Sequence, residues 1–335
     1  MKTKIILIAI LITIITMLTV IILVFGNKKP DVEKPLPQPT PRAVILPVKP
    51  SIKASQELES EKKYSVIYNL KTNRSFPKNI TTISVSRNLS IQTIRNIQSS
   101  FQILSEPQQV NEHTYLWTLD GGSTSLLINT RSGYVEYNKS PYEAKSDPGG
   151  TQLKTVNARE AEKIAEKIIQ DLRLTTITPG SSSLQTFKRP VGEIFEETTN
   201  PEEIELYQFT YQQSYKGLPI YQQLGAPAEI KIGVSNYGKI TSLRLFSSLP
   251  TNSKEIQIIP VDQAQIKIQQ NEGSIVRIEN IQSSSISISS IIIDSIELGY
   301  LDDKTENSLI PIYVFEGIAE TPFGEKGATI YLPAY

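Results

Sequence analysis

Side-chain catalysis needs groups that exchange protons, attack carbon or phosphorus, or hold a metal, and this chain of 335 residues is sparing with them. It has no cysteine, which excludes thiolate nucleophiles, thiolate metal sites and disulfides. Its one histidine, His113, sits in the stretch QQVNEHTYLW. A zinc peptidase of the His-Glu-x-x-His kind needs two imidazoles one helical turn apart. A Ser-His-Asp scheme would have to run through His113 alone. Next to Glu112 and just ahead of a strand, His113 reads as an exposed loop histidine. Carboxylates are plentiful but unfocused: GEIFEETTNPEEIE, residues 192–205, carries six glutamates, and LDDKTEN places Asp302, Asp303 and Glu306 near a turn. Neither stretch has the alternating oxygen ligands and glycine of a calcium loop, so both read as solvated loops. Nothing marks out one pair of acids for glycoside cleavage, and there is no glycine-rich phosphate cradle. The expectation is a non-enzymatic protein with no catalytic residue, no metal and no cofactor.

The aromatic residues are more focused. YQFTYQQSYKGLPIYQ, residues 207–222, alternates like a strand and then breaks at Gly-Leu-Pro. Proline cannot donate to a sheet ladder, so Pro219 must lie at an edge or a bulge, and Gly217 supplies the backbone freedom for a kink. Aromatics at strand spacing form a core face with cross-strand pairs. Alternatively, a kinked edge is where a partner peptide could add a strand. On that second reading Tyr211, Tyr215, Gly217, Pro219 and Tyr221 form the candidate binding surface.

These residues must be positioned by elements whose pattern recurs along the chain. In NLSIQTIRNIQSSFQIL, Ile94, Ile97, Phe101 and Leu104 fall at helical spacing behind an Asn88 or Ser90 cap. Strands follow, with Tyr115, Trp117 and Leu119 on one face and a hairpin at Ser132-Gly133. A second helix, NAREAEKIAEKIIQDLRL, opens on Asn157 and Glu160 at capping-box spacing and carries an apolar stripe through Ala161, Ile164, Ala165, Ile168 and Leu172. Its sheet takes Tyr207, Phe209 and Tyr211, then Ile230, Ile232 and Val234, then Leu243 and Leu245. A third helix, in PVDQAQIKIQQNEG with Gly273 as its stop, leads into more strands.

Ahead of these elements, Ile5 to Phe25 is an uncharged run long enough, at about 1.5 Å per residue, to cross a hydrocarbon core of about 30 Å. It exceeds a signal peptide's usual apolar region and lacks an Ala-x-Ala site, so it reads as an uncleaved anchor in the bilayer. Seven prolines between Pro30 and Pro50 then favour a stiff, extended stalk. Lys plus Arg balance Asp plus Glu at 34 each, which removes the basic field that nucleic acid would require. The expected fold is α+β: a transmembrane anchor (1–26), a Pro-rich stalk and lead-in (27–63), then repeated helix-plus-antiparallel-sheet units at 64–150, 151–250 and 251–335.

The stretch YQQSYKGLPIYQ followed by EIKIGVSNYGKITSL resembles the signature of the PepSY and fungalysin/thermolysin propeptide (FTP) superfamily, carried by Gln213, Tyr215, Gly217 and Pro219. More loosely, an anchor followed by such units is similar to the extracytoplasmic YycH/YycI-type proteins that restrain a membrane histidine kinase. The resemblance implies PepSY/cystatin-like units; the anchor, with a tail too short to fold ahead of it, implies a single-pass cell-membrane protein, N-in, with its folded part extracytoplasmic in a bacterial-type envelope. It would regulate a membrane or envelope partner by protein contacts. The alternative is a cell-envelope hydrolase that works on peptide or glycan with carboxylates alone.

Overall fold

The computed structural model describes residues 64–70, 75–140, 154–189, 195–281 and 286–335. The predicted anchor and stalk lie outside the described residues. In chain order the elements begin β1 (Ser65–Tyr68), β2 (Asn79–Ser86), α1 (Ile91–Ser100), β3 (Gln108–Asn111), β4 (Thr114–Leu119), β5 (Thr124–Asn129) and β6 (Tyr134–Lys139). They continue with α2 (Ala158–Leu172), β7 (Ile177–Lys188), β8 (Glu196–Glu197), β9 (Ile204–Tyr215), β10 (Leu218–Tyr221), β11 (Glu229–Ser235), β12 (Ile240–Phe246) and β13 (Leu249–Gln257). The last are α3 (Val261–Gln269), β14 (Ser274–Ile278), β15 (Ser290–Asp303), β16 (Ser308–Thr321) and β17 (Gly324–Pro333).

The expected α+β class, with one helix-plus-sheet unit repeated along the chain, is therefore overturned. The described residues are mostly strand, with only three short α-helices among them, and the strands merge into two extended sheets. Alternation marks a residue as strand but carries no address for its partner, so merging of this kind is decided by tertiary pairing. Among the described residues no helix is long and apolar enough to cross a membrane; Ile5 to Phe25 is not among them.

The first sheet is antiparallel throughout, in the order β3-β4-β5-β6-β12-β11-β9-β7-β8. One face is covered by α1 and α2. Ser90 caps α1 by accepting from Thr93 N, and the capping box of α2 forms as its sequence implies, with Asn157 and Glu160 each bonded to the other's backbone at 3.0 Å. Their buried Ile94, Ile97, Ala161, Ala165 and Ile169 pack on Trp117, Phe209, Tyr211, Ile230 and Ile232. Burying such side chains contributes about 1.5–3 kcal/mol each, which is what holds helices this short in place.

The second sheet is built on the long β15–β16 pair. Strands β1 and β10 run parallel to β15 along its outer edge, β17 and β2 flank β16, and β14 and β13 extend these. Ala264 and Ile268 of α3 close one core over Ile291, Ile293, Tyr313 and Phe315. A smaller core of Tyr221, Leu301, Ile312, Val314 and Tyr331 occupies a separate cluster. Residues 64–86 therefore join the C-terminal strands, and the chain passes between the sheets four times, at Arg87–Ser90, at the Lys216–Gly217 hairpin into β10, back between Tyr221 and Glu229 into β11, and at Ser247–Ser248.

Candidate binding cleft

The Gly-Leu-Pro break is one of these passages. Lys216 and Gly217 both have positive φ, 50° and 80°, the two left-handed residues that a tight hairpin needs. The hairpin folds β10 back on β9, Leu218 to Tyr215 and Pro219 to Ser214, and β10 then runs parallel to β15 in the second sheet. Tyr215 meets Tyr300 edge-on at 5.9 Å. The Tyr221 hydroxyl donates to Glu297 Oε2 at 3.0 Å, and its ring lies where a side chain on Gly299 would come within 2.7 Å. Burial, reinforced by the Glu297 charge, pushes the Tyr221 hydroxyl well above the usual tyrosine range. Gln213 is buried, and its amide donates to Phe246 O at 3.0 Å and accepts from Ser248 Oγ at 3.4 Å.

The predicted binding surface is not assembled as an open groove. Tyr211 is fully buried under α2, its hydroxyl 3.5 Å from Glu162 O, and Tyr221 is buried in the second sheet. Tyr215 and Pro219 are half-buried between the sheets, and Gly217 alone is exposed, at the hairpin tip. The aromatic pattern therefore records a joint between sheets: core packing took these rings, because burying them gains more than leaving them free for a partner.

A different place has the shape of a site. Where the Arg87–Ser90 and Ser247–Ser248 passages run side by side, a cleft of about 900 Å³ opens between the sheets. Turns from both sheets line it: Asn111 at the end of β3 and His113 ahead of β4, Arg131 and Ser132 between β5 and β6, and Lys304, Thr305 and Asn307 between β15 and β16. The β5–β6 turn is held from three sides. Asn129 Oδ1 accepts from Ser132 N at 2.9 Å, Leu89 N donates to Thr130 O at 2.9 Å, and Ser247 N donates to Gly133 O at 2.8 Å. Gly133 has φ 68°, and a Cβ there would lie 2.8 Å from Arg87 O, so the close approach of this turn to the passage depends on glycine.

The β15–β16 turn is tied down from the opposite wall. Arg87 is buried, ion-paired through Nη2 with Asp302 Oδ1, and donates from Nη1 to Asn307 Oδ1 at 2.6 Å. Asp303 is buried as well and accepts from Thr305 N at 2.8 Å and Glu306 N at 3.2 Å. The reading of LDDKTEN as a solvated loop is thus corrected for its two aspartates, which are structural acceptors. Lys304 lies with its ammonium 4.8 Å from the Phe246 ring centre, reaching across the seam. His113, read from sequence as an exposed loop histidine, is on this cleft, with Glu112 Oε2 at 3.7 Å from its Nε2.

The remaining acids do not converge. Glu196, Glu197, Glu202 and Glu203 are exposed, Glu196 pairing with Lys188 at 2.9 Å. Among the described residues Glu316 is the one carboxyl held above its usual range, by partial burial and then by the neighbouring Glu297 charge. It belongs to the β15–β16 ladder, away from the residues that line the cleft. Among the described residues no group of three or more His, Asp or Glu is placed to hold a metal. The spacing of His113, Arg131 and Lys304 in sequence gives no sign that they meet; the one available signal is their shared position in turns with Asn or Gly partners.

No family model and no curated protein matches this chain. Among solved structures it is similar to the YpeB C-terminal domain of Bacillus megaterium, at 14% identity and a TM-score of 0.31, over 74% of this chain and 100% of that one.

Proposed function

We propose that this protein is a membrane-anchored, extracytoplasmic regulatory module with a PepSY-like segment, which works by binding an envelope partner or ligand and not by turnover. The observation that carries the reading is the cleft between the sheets. Its lining is a set of turn-borne cations, amides and hydroxyls braced by a buried ion pair, an arrangement suited to recognition. The uncharged run Ile5 to Phe25 supports the anchor, which would raise the local concentration of the module at a membrane partner. The likeness of residues 207–246 to PepSY segments supports a contact role.

A photocrosslinking residue at Thr251, on the cleft, should trap one partner in native membranes, and the same residue at Lys163, on α2, should not. Deleting residues 1–25 should abolish that adduct. Equal labelling from both positions, or an adduct independent of the anchor, would refute the reading. The hydrolase alternative has one observation behind it, the raised Glu316 beside Glu297. Loss of the biological effect in a folded Glu316→Gln protein would favour that alternative.

A further inference from the structure

Two asparagines on the cleft have orientations fixed by groups that can only donate. Asn111 Oδ1 accepts from the backbone N of His113 at 3.0 Å, and Asn307 Oδ1 accepts from the Arg87 guanidinium at 2.6 Å. Each therefore keeps its NH₂ available as a donor. Arg131 and Lys304 are exposed, one from each sheet, and neither has a carboxylate partner among the described residues. His113 adds a further nitrogen. No carboxylate is among the described residues that line the cleft. Of the nearest acids, Asp302 is taken by Arg87, Asp303 by two backbone N–H groups, and Glu112 faces His113, while Glu306 lies exposed in the β15–β16 turn. The described lining is rich in donors and cations and holds no anionic acceptor.

We propose that this cleft binds an oxyanion, phosphate or carboxylate, carried on a hydroxyl-rich body of sugar size, with Arg131 and Lys304 gripping the anion from the two sheets. The volume of about 900 Å³ is far more than a bare anion fills and falls within the range of about 300–1,000 Å³ usual for small-molecule sites. Val85 and Phe246 apart, the lining residues are polar by type, while their stems and the Phe246 ring add apolar surface, which suits the mixed polar and apolar faces of a sugar. A guanidinium and an ammonium on opposite walls match an oxyanion through charge-assisted hydrogen bonds. Because the walls belong to different sheets, the bound ligand also pins the seam.

The assignment rests on the binding reading above and is tested separately from it. Calorimetric titration of the full-length chain in detergent with glucose 6-phosphate, glucuronate, inorganic phosphate and glucose should show binding of one or both sugar anions, and none of glucose. A preference between the two sugar anions identifies the source of the oxyanion. Arg131→Ala and Lys304→Ala should each weaken that binding by about tenfold. The double change to glutamate should abolish it, and Lys163→Ala should leave it unchanged. Equal binding of glucose, inorganic phosphate binding as tightly as either sugar anion, or sugar-anion binding that survives the double reversal would each overturn the proposal. Silence from every anion would overturn the site and leave the Thr251 crosslink as the measure of the binding reading. Consumption of the ligand during titration would overturn the binding reading and leave the site standing.

Discussion

At Lys216–Tyr221 the chain leaves the first sheet through a hairpin whose side chains are aromatic and sealed: Tyr215 on Tyr300, Tyr221 on Tyr331 at 5.9 Å, Gln213 buried behind them. At Arg87–Ser90 and Ser247–Ser248 it passes between the same sheets through polar backbone, with one buried ion pair below and an open cleft above. Sealing by rings leaves little room to accept a partner. Bracing by a salt bridge and turn hydrogen bonds holds the walls in place and leaves residues with donor groups lining the gap. Both joints carry stability, one through packed rings and the other through its buried ion pair, but only the second leaves room for recognition, and substitutions at each can break that distinction.

The largest expected effect belongs to the ion pair. Asp302→Ala would leave Arg87 buried without its carboxylate, and breaking one partner of a buried pair costs about 3–5 kcal/mol. Urea unfolding should show that loss, and the double variant Arg87→Met/Asp302→Leu should recover much of it, because removing both charges abolishes the stranded one. An Asp302→Ala protein as stable as the parent would mean that the pair does not brace the cleft.

Alkaline pH should act next, and on the aromatic joint. Tyr300 at this joint, with Tyr64 and Tyr313 elsewhere in the second sheet, is pushed up to about 12 by burial foremost. A raised pKa in the folded state means that the unfolded chain loses its phenolic protons first. Stability is therefore intact below the unfolded value of about 10 and declines as pH rises from there towards the folded values, each tyrosine removing up to about 1.4 kcal/mol per pH unit. Tyr300→Phe should flatten the decline above pH ~10; an unchanged slope would show that Tyr300 ionises as freely folded as unfolded.

Gly217 tests the hairpin itself. Its φ is 80°, and a Cβ added there would meet nothing within 4 Å, so valine would suffer from backbone conformation and not from a clash. The expected cost is about 1–3 kcal/mol, and Gly217→Asn should cost less, since asparagine tolerates the left-handed region. Equal losses for the two would point to a steric cause instead.

What can be read from sequence follows the range of the forces involved. The capping box at Asn157 and Glu160 and the alternation of Tyr207, Phe209 and Tyr211 are local, and they appear where the residues place them. The helix α1 stops at Ser100 although Leu104 continues its spacing, because Gln102 adopts φ 57° and leaves Leu104 exposed. Gly273 is a reasonable stop for α3 by its residue type, yet Asn271 takes the left-handed turn and Gly273 serves a close approach, where a Cβ would meet Ile268 at 2.4 Å. Of the cleft, only the turn positions of its residues are legible. Its residues come from turns far apart in the chain, and Asp302 looks like any other acid at a turn until Arg87 is seen against it.

The smallest expected effect sharpens the comparison most. Lys304 reaches across the seam to Phe246, and a cation over a ring at an exposed site contributes about 0.5–1 kcal/mol. If the β15–β16 turn is held by Arg87, Asp303 and the Asn307 contacts, Lys304→Gln should change stability by no more than about that amount, while removing one of the two cations proposed to grip the anion. Chemical unfolding of the variant, set beside its glucose 6-phosphate affinity, separates the roles. A large stability loss would make Lys304 part of the brace, and the polar joint would then resemble the aromatic one in being sealed by ring contacts. A small loss with weakened anion binding keeps the two joints distinct, one closed by packing and the other left open with its charges free to act.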